Sequence, residues 1–305
     1  MKEIKNILIC GAGMMGKNIG YVFASNPSFQ VGMYDLYPTD VEAGIRTNTK
    51  QLLDKGVITE QELSDRLSRI SFTNDIDSDL VKNADLVIEA VFEDMKIKRE
   101  TFAKLEARCR PDTIFCTNSS VMSPSEISAE LQHRERFVGT HFWNPGHLIP
   151  LVEVVKSDAS SDEVAQTVME VLRSVGKKPV LCKKDVPGFI ANRMQHALWR
   201  EAISIVENGI ADAATVDEAV RYSFGLRLPQ LGPMENADMV GTDLTYNIHD
   251  YILRDLEDSH EPSPLLKQLR DAGKTGEGFQ KWTPEQVAQS NAELNEYLIR
   301  MLYGK

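Results

Sequence analysis

The chain has 305 residues, 42% hydrophobic and 26% charged, which is typical of a globular enzyme with room for two domains. The net charge of −11, with no basic run, argues against nucleic acid or an anionic membrane as a partner. No stretch approaches the roughly 18 apolar residues of a membrane span. The first residues lack a signal peptide's long apolar stretch, and the four cysteines form no CxxC pair. We therefore expect reduced thiols, a cytoplasmic location and no metal site.

The first predicted elements are a buried strand at residues 7–10, a GxGxxG turn and a helix. The first glycine permits the tight turn, the second lets a diphosphate approach the backbone, and the third lets the helix pack on the strand. The amides at the helix start would then hold the diphosphate. This context favours a dinucleotide site over a glycine-rich turn that binds no nucleotide. The cofactor-binding residues predicted here are Gly11, Gly13, Met14, Met15 and Gly16.

An acidic residue follows this turn at the distance that a ribose-binding carboxylate requires. The second strand, residues 30–34, ends at Asp35, which lies 19 residues after Gly16. A carboxylate there accepts hydrogen bonds from both ribose hydroxyls and repels a 2′-phosphate. Leu36 and Tyr37 follow, with no arginine to bind that phosphate. The sequence therefore predicts NAD rather than NADP.

Strands and helices alternate up to about residue 185. A charged helix–turn–helix insertion, broken at Gly56, occupies residues 41–69. The further predicted strands are 70–73, 86–90, 113–117, 137–141, 151–155 and 178–182, and the helices between them include 60–69, 94–109 and 161–175. This alternation predicts an α/β fold, a Rossmann-type, doubly wound, mostly parallel sheet in a domain of residues 1–186.

From Pro187 the strand pattern disappears, and a helical domain is predicted at 187–305. Its predicted helices are 189–208, 216–223, 235–257, 262–272 and 283–303. Thr215 is the predicted N-cap of the second of these and Thr283 of the last. Because these helices are long and amphipathic, we expect an apolar face to be buried against a partner.

Four polar positions point to alcohol oxidation. His141 follows a strand whose carboxyl end should face a ligand, and Glu153 interrupts an apolar strand, so that it needs a partner. A His–Glu pair would leave one imidazole nitrogen free to take a proton. Ser120 and Asn192 would stabilise the developing alkoxide. Each residue alone is more typical of a structural role, but together, on a dinucleotide scaffold, they favour catalysis.

The same residues resemble the L-3-hydroxyacyl-CoA dehydrogenase family over essentially the whole chain. The motifs that carry the resemblance are GAGMMG, VIEAVFEDMKIK at 87–98, TNSS, HFWNP, LVEVV, PGFIANR and GKTGEGF at 273–279. The resemblance implies that His141 is the catalytic base, Glu153 its carboxylate partner and Asn192 a substrate contact. Ser120 matches the active-site serine, although a one-residue shift would make it Ser119. Further implied cofactor contacts are Glu93, Lys98, Asn118, Asn144 and Lys274. The family also implies a homodimer.

The resemblance favours an L-3-hydroxyacyl-CoA substrate, with a free hydroxy acid as the alternative. The family's usual substrate is an L-3-hydroxyacyl-CoA thioester, which NAD oxidises to the 3-keto product, and fatty acid metabolism would be its setting. However, residues 146–150 and 225–233 resemble the lambda-crystallin (L-gulonate) and carnitine dehydrogenase branch, which acts on free hydroxy acids. Arg227 in the second segment could pair with a free carboxylate or be a solvated loop residue.

The insertion at 41–69 also bears on the substrate. It carries Lys50 and Lys55 but few of the other polar or basic residues that acyl-CoA members use to hold the nucleotide tail. Two rivals stay open: a non-catalytic NAD-binding protein, and an enzyme that oxidises a hydroxymethyl or aldehyde group on a ring. Trp143 and the altered 146–150 loop leave room for the second.

Overall fold

The computed structural model describes residues 3–271 and 278–305. Its strands are β1 Asn6–Cys10, β2 Gln30–Tyr34, β3 Ile70–Thr73, β4 Leu86–Glu89, β5 Ile114–Thr117, β6 Phe137–Phe142, β7 Leu151–Lys156 and β8 Lys178–Cys182. Its first seven helices are α1 Met14–Phe23, α2 Val41–Asp54, α3 Glu60–Leu67, α4 Asp79–Lys82, α5 Met95–Glu106, α6 Pro124–Ile127 and α7 Asp162–Ser174. The later helices are α8 Ala191–Glu207, α9 Ala213–Arg221, α10 Phe224–Arg227, α11 Pro233–Val240, α12 Thr242–Ile252, α13 Pro264–Asp271 and α14 Pro284–Tyr303.

The eight strands form one sheet in the order β3-β2-β1-β4-β5-β6-β7-β8. Every neighbouring pair is parallel except β6 and β7, which are antiparallel. Strands β1 and β4 are buried at nearly every position, as expected where helices cover both faces of a parallel sheet. The predicted α/β class, with its mostly parallel doubly wound sheet, is confirmed. The order reverses between β1 and β4, and at such a switch point the carboxyl ends of the strands leave a crevice for a ligand.

The chain divides into two compact units. The first runs to Ala191 and also includes Ala292–Lys305, the end of α14; the second is Asn192–Asn291. Ile299 of α14 is 1% exposed and belongs to the first unit's apolar core. The predicted functional boundary between residues 186 and 187 stays a prediction. In the described residues, no helix is both long enough and apolar enough to cross a membrane.

The second unit is helical as predicted, with two local differences. Asp212, not Thr215, caps α9, because its carboxylate accepts a hydrogen bond from the Thr215 amide. The helix predicted at 235–257 is two helices, α11 and α12, interrupted at Gly241, where φ is +102° and the helical geometry cannot continue. Thr283 does precede α14, and its hydroxyl accepts from the Gln286 amide as an N-cap.

Candidate active site

The glycine-rich turn between β1 and α1 has the shape that a diphosphate requires. Gly11 has φ of +107°, and a Cβ there would lie 2.6 Å from the Ala90 carbonyl oxygen. A Cβ on Gly16 would lie 1.8 Å from the Gly11 oxygen, so α1 can lie this close to the turn only because residue 16 is a glycine. Gly13 is exposed, with no atom within 4 Å of where its Cβ would stand, and the first turn of α1 carries no acidic residue. No side chain caps the start of α1, so a phosphate beside Gly13 would accept hydrogen bonds from the first-turn amides.

Asp35 stands at the carboxyl end of β2, beside this turn. Its Oδ2 accepts a hydrogen bond from the Ala12 amide at 2.7 Å, and its Oδ1 accepts from the Tyr37 amide at 3.1 Å. The carboxylate is half-buried and is thereby fixed against the turn that would bind the diphosphate. Each carboxylate oxygen has a further lone pair for a ribose hydroxyl. The residues present therefore fit a bound NAD.

His141 and Glu153 face each other across the antiparallel pair of strands. They are register partners on β6 and β7, and His141 Nδ1 lies 2.8 Å from Glu153 Oε2. The histidine is 4% exposed and the glutamate fully buried. The imidazole ring centroid lies 5.4 Å from that of Trp143 and 5.7 Å from that of Phe189, so aromatic rings hold its position. Neither side chain of the pair can turn without losing these contacts.

Glu153 remains ionised although it is buried. Burial alone would raise the pKa of this carboxyl, but hydrogen bonds from His141 and from the Ala191 and Ile190 amides outweigh burial and lower its pKa. The two amides donate to Oε1 at 3.0 and 2.9 Å, and Trp143 Nε1 donates to Oε2 at 3.4 Å. An ionised Glu153 accepts a hydrogen bond from the Nδ1–H group of His141. In the neutral imidazole that makes this hydrogen bond, Nε2 is the nitrogen that can accept a proton.

A second group of polar side chains joins the loops after β4 and β5. The Ser119 hydroxyl donates to Glu93 Oε1, and the Ser120 amide donates to the same oxygen at 3.0 Å. Burial opposes the ionisation of Glu93, yet the Ser119 hydrogen bond and the Lys98 ammonium lower its pKa. Ser119 is 1% exposed, whereas the Ser120 side chain is exposed. The structure thus assigns Ser119 to holding the loop and leaves the Ser120 hydroxyl at the surface.

Lys98 lies beneath this loop between two carboxylates. Its ammonium is 2.8 Å from Glu89 Oε1 and 3.1 Å from Glu93 Oε2, and its side chain is 1% exposed. Glu89 also accepts from the Thr117 hydroxyl at 2.7 Å. Burial raises the pKa of Glu89 although Lys98 and Thr117 act against it. The Lys98 ammonium therefore holds the Glu93 carboxylate in position.

Sequence reasoning missed Glu89 and the contact of Trp143 with Glu153. The signal for Glu89 was present, because it is a carboxylate inside an apolar strand, as Glu153 is. No signal in the sequence indicates that the Trp143 indole points at Glu153. That contact depends on the register of β6 and β7.

The two predicted asparagines of the first unit lie at loop ends. Asn118 Oδ1 accepts from the Phe142 amide at 3.0 Å and so ties the end of β5 to the end of β6. Asn144 is exposed and precedes Pro145 through a cis peptide bond.

The remaining predicted site residues lie outside the first unit. Asn192 is 8% exposed in the first turn of α8, and Arg227 is exposed at the end of α10. Lys274 lies outside the described residues.

A doubly wound sheet, a glycine-rich turn with a ribose-binding carboxylate, and a buried His–Glu pair define an NAD-dependent dehydrogenase. Comparison with known proteins gives the family. Residues 6–186 match the family model of the 3-hydroxyacyl-CoA dehydrogenase NAD-binding domain, and residues 188–282 match that of its C-terminal domain. The chain belongs to the 3-hydroxyacyl-CoA dehydrogenase family, and is an oxidoreductase that acts on CH–OH groups with NAD.

Relatives differ in the substrates that their names give. The chain is 38% identical to a probable 3-hydroxybutyryl-CoA dehydrogenase of Bacillus subtilis, over 91% of this chain and 97% of that protein. It is 33% identical to the 5-formyl-3-hydroxy-2-methylpyridine 4-carboxylate 5-dehydrogenase of Mesorhizobium japonicum, over 99% of both. A crystal structure of such a pyridine carboxylate dehydrogenase matches with a TM-score of 0.89, over 99% of this chain and 100% of that one. The (S)-3-hydroxybutyryl-CoA dehydrogenase of Ralstonia eutropha matches at 28% identity and a TM-score of 0.77, over 92% and 100%.

Proposed function

We propose that this dehydrogenase oxidises the hydroxyl-bearing carbon of a small free carboxylic acid, or runs the reverse reduction, rather than acting on a CoA thioester. The observation that carries the proposal is the state of the basic side chains on the α2–α3 insertion. Arg46 pairs with Glu42 and Glu60, Lys50 with Asp54, and Lys55 with Glu296. These cations, which in an acyl-CoA enzyme would meet phosphates, already face carboxylates of the protein.

The likeness to the Mesorhizobium enzyme supports the same substrate class. Its named substrate is a pyridine carboxylate, and its sequence matches 99% of this chain. The crystal structure of an enzyme with the same named substrate also matches 99% of this chain. An aromatic acid with a hydroxymethyl or aldehyde group is therefore a specific form of the proposal. Arg227, which is exposed on the second unit, would pair with the substrate's carboxylate.

In the proposed reaction His141 removes the hydroxyl proton at Nε2. Glu153 holds Nδ1–H and stabilises the imidazolium that forms. Ser120 and Asn192 would donate hydrogen bonds to the developing alkoxide. Bound NAD supplies the hydride acceptor. The residues that would hold NAD are the turn from Gly11 to Gly16, with Met14 and Met15, Asp35 at the adenosine ribose and Asn144 near the nicotinamide ribose. The further cofactor contacts would be Glu93, Lys98, Asn118 and Lys274.

A second candidate, oxidation of an L-3-hydroxyacyl-CoA in fatty acid metabolism, is favoured by one observation. Among the relatives described above, the one with the highest identity is the probable 3-hydroxybutyryl-CoA dehydrogenase of Bacillus subtilis. The ion pairs on the insertion are exposed, and exposed pairs are weak because water screens them, so that a CoA tail would compete with the carboxylates for these cations.

The test compares a CoA thioester with free acids, one of which differs from the thioester only in the CoA group. Initial rates of NADH formation would be measured with 3-hydroxybutyryl-CoA and free 3-hydroxybutyrate, and with L-carnitine, L-gulonate and the reduced form of the pyridine carboxylate. We expect kcat/KM for at least one free acid to exceed that for the thioester. A kcat/KM at least tenfold higher for the thioester than for every acid would refute the proposal.

The variant Asp54→Asn sharpens this comparison, because it removes the partner of Lys50 without touching the His–Glu pair. If free cations on the insertion limit thioester use, the variant should lower KM for 3-hydroxybutyryl-CoA and leave KM for free acids unchanged. The variant His141→Gln, expected to lower kcat by about 10²–10⁴-fold on the true substrate, verifies that the measured activity belongs to this site.

We also propose a homodimer, working in the cytoplasm, that pairs through the helical unit. Large apolar side chains of that unit are exposed in the single chain, among them Tyr222, Leu226, Met234, Tyr246 and Tyr251, each at least 70% exposed. Sedimentation equilibrium should give twice the chain mass of 34.2 kDa. A monomer at micromolar concentration would refute the dimer.

A further inference from the structure

The loop of residues 145–150 joins His141 and its neighbours on β6 to Glu153 on β7. The Pro145 carbonyl closes two overlapping turns, because it accepts hydrogen bonds from the Leu148 and Ile149 amides at 3.0 Å each. Leu148 is 3% exposed and packs into the core of the first unit. The loop is thus anchored by one apolar side chain, and the carbonyls of Gly146 and Ile149 need partners of their own.

Those partners come from a single lysine on another element. Lys177, in the turn between α7 and β8, is 6% exposed, and its ammonium donates to the Gly146 carbonyl at 2.6 Å and to the Ile149 carbonyl at 2.7 Å. The same ammonium lies 5.9 Å from the ring centroid of Phe142. A lysine buried against neutral groups is costly, since burial lowers its pKa to about 8. The adjacent lysine, Lys178, is exposed to solvent, so a lysine at this point of the chain does not have to be buried.

The carbonyls that Lys177 holds belong to a loop that touches the cofactor turn. A Cβ built on Gly146 would lie 3.2 Å from Asn18 Cβ and 3.4 Å from Met15 Cε, both on α1. Met15 is the second residue of α1 and lies between Gly13 and Gly16 of the GxGxxG turn. Lys177 therefore draws the loop against the helix whose amides would bind the diphosphate, and the Asn48 side chain supports Asn18 from α2 with a hydrogen bond of 2.7 Å.

We propose that Lys177 is a positioning residue for NAD: its ammonium fixes the 145–150 loop against the start of α1 and thereby sets the affinity for the cofactor. This role is independent of the substrate, and so it stands or falls separately from the substrate class proposed above. It also explains why a costly buried cation occupies the turn before β8.

The first test measures NAD binding directly, by titration calorimetry without substrate. The variant Lys177→Met keeps the approximate length of the side chain and removes its charge and donors. We expect Kd for NAD to rise about tenfold, because the two charged hydrogen bonds that hold the loop are lost. Lys177→Arg should recover most of the affinity, because its donors can still reach carbonyls. Lys178→Met is the matched control and should bind NAD as the wild type does. A Kd in Lys177→Met within twofold of the wild type would overturn the proposal.

The second test covers the case in which Lys177→Met does not fold. Gly146→Ala places a methyl group against Asn18 and Met15 and leaves Lys177 in place, and it should also weaken NAD binding. Unchanged NAD affinity in that variant would refute the link between the loop and α1.

The third test follows wild-type Kd for NAD from pH 7 to pH 10. His147 is the titratable side chain of the loop that interacts with Lys177, and Phe142 of β6, whose ring centroid lies 5.9 Å from the ammonium, carries no charge. Burial and the Lys177 charge lower the pKa of His147 to about 4, so it stays neutral over this range. Affinity should therefore fall above about pH 8 in the wild type and stay flat in a folded Lys177→Met. A flat wild-type profile would contradict the role of the ammonium charge.

Discussion

Replacing Glu153 by glutamine should uncouple the catalytic base while leaving the cofactor site intact. Glu153 accepts hydrogen bonds from four donors: His141 and Trp143 on one oxygen, and the Ile190 and Ala191 amides on the other. A glutamine has one carbonyl oxygen and one NH₂ group. In either orientation the NH₂ group of the glutamine faces two of the donors that Glu153 accepts from in the wild type, and those two donors lose their acceptor.

The more favourable orientation keeps the oxygen on the two backbone amides and turns the NH₂ towards His141. Nδ1 must then accept a hydrogen bond, so the proton moves to Nε2 and the imidazole can no longer act as a base. We expect kcat to fall about 10²–10⁴-fold, as when a base is held in the wrong tautomer. Losing one member of a buried pair should also cost about 3 kcal/mol of stability.

The pH dependence of that stability loss gives an independent check. The pKa of Glu153 is lowered by folding, so its contribution is complete above the unfolded value near 4.5 and is lost as the pH falls through the folded pKa. The stability gap between the wild type and Glu153→Gln should therefore be full at pH 7 and should narrow below about pH 4.5.

Urea unfolding at several pH values, together with kcat and the Kd for NAD, measures all three quantities. The exposed Glu130→Gln is the control for removal of one negative charge. The reasoning is wrong if Glu153→Gln turns over substrate within threefold of the wild type.

Three further outcomes follow from the cofactor side of the site. Gly16→Ala puts a Cβ 1.8 Å from the Gly11 oxygen, so it should abolish measurable NAD binding in calorimetry and destabilise the fold by about 1–3 kcal/mol in urea. Asp35→Ser removes the carboxylate that repels a 2′-phosphate, and the ratio of kcat/KM for NAD to that for NADP should fall at least tenfold. Lys98→Met leaves Glu89 buried without its cation and should lower the free energy of unfolding at pH 7 by about 3–5 kcal/mol. The loss should be smaller at acidic pH, because burial raises the pKa of Glu89 and the carboxyl is protonated there. An unchanged urea midpoint for Lys98→Met would contradict the charge network.

The sequence predicts most of the fold because local patterns carry most of it. Strand β3 lies where the apolar residues placed it, and the break at Gly56 separates α2 from α3 as expected, with φ of +63°. The helical unit was less predictable, since an amphipathic pattern runs on through Gly241 although the backbone there leaves the helix.

The candidate site is also partly readable from sequence. A histidine after one strand and a glutamate inside the next indicate a pair, because a carboxylate cannot be buried alone. The same logic applied to β4 would have indicated Glu89. It could not have shown that Lys98 comes between Glu89 and Glu93, nor that the Ser119 hydroxyl and the Ser120 amide both donate to Glu93.

By itself the sequence determined the class of fold and the glycine-rich turn, and it predicted the residue types of the candidate site, since each is encoded by periodicity or by residues close together in the chain. Only the tertiary structure decided which groups meet. His141 and Glu153 are 12 residues apart in the chain and meet on antiparallel strands. Lys177 and Gly146 are 31 residues apart and meet where a turn contacts a loop. Both contacts form because the register of β6, β7 and β8 brings these residues together. Register depends on the packing of the whole sheet, and no local pattern specifies it.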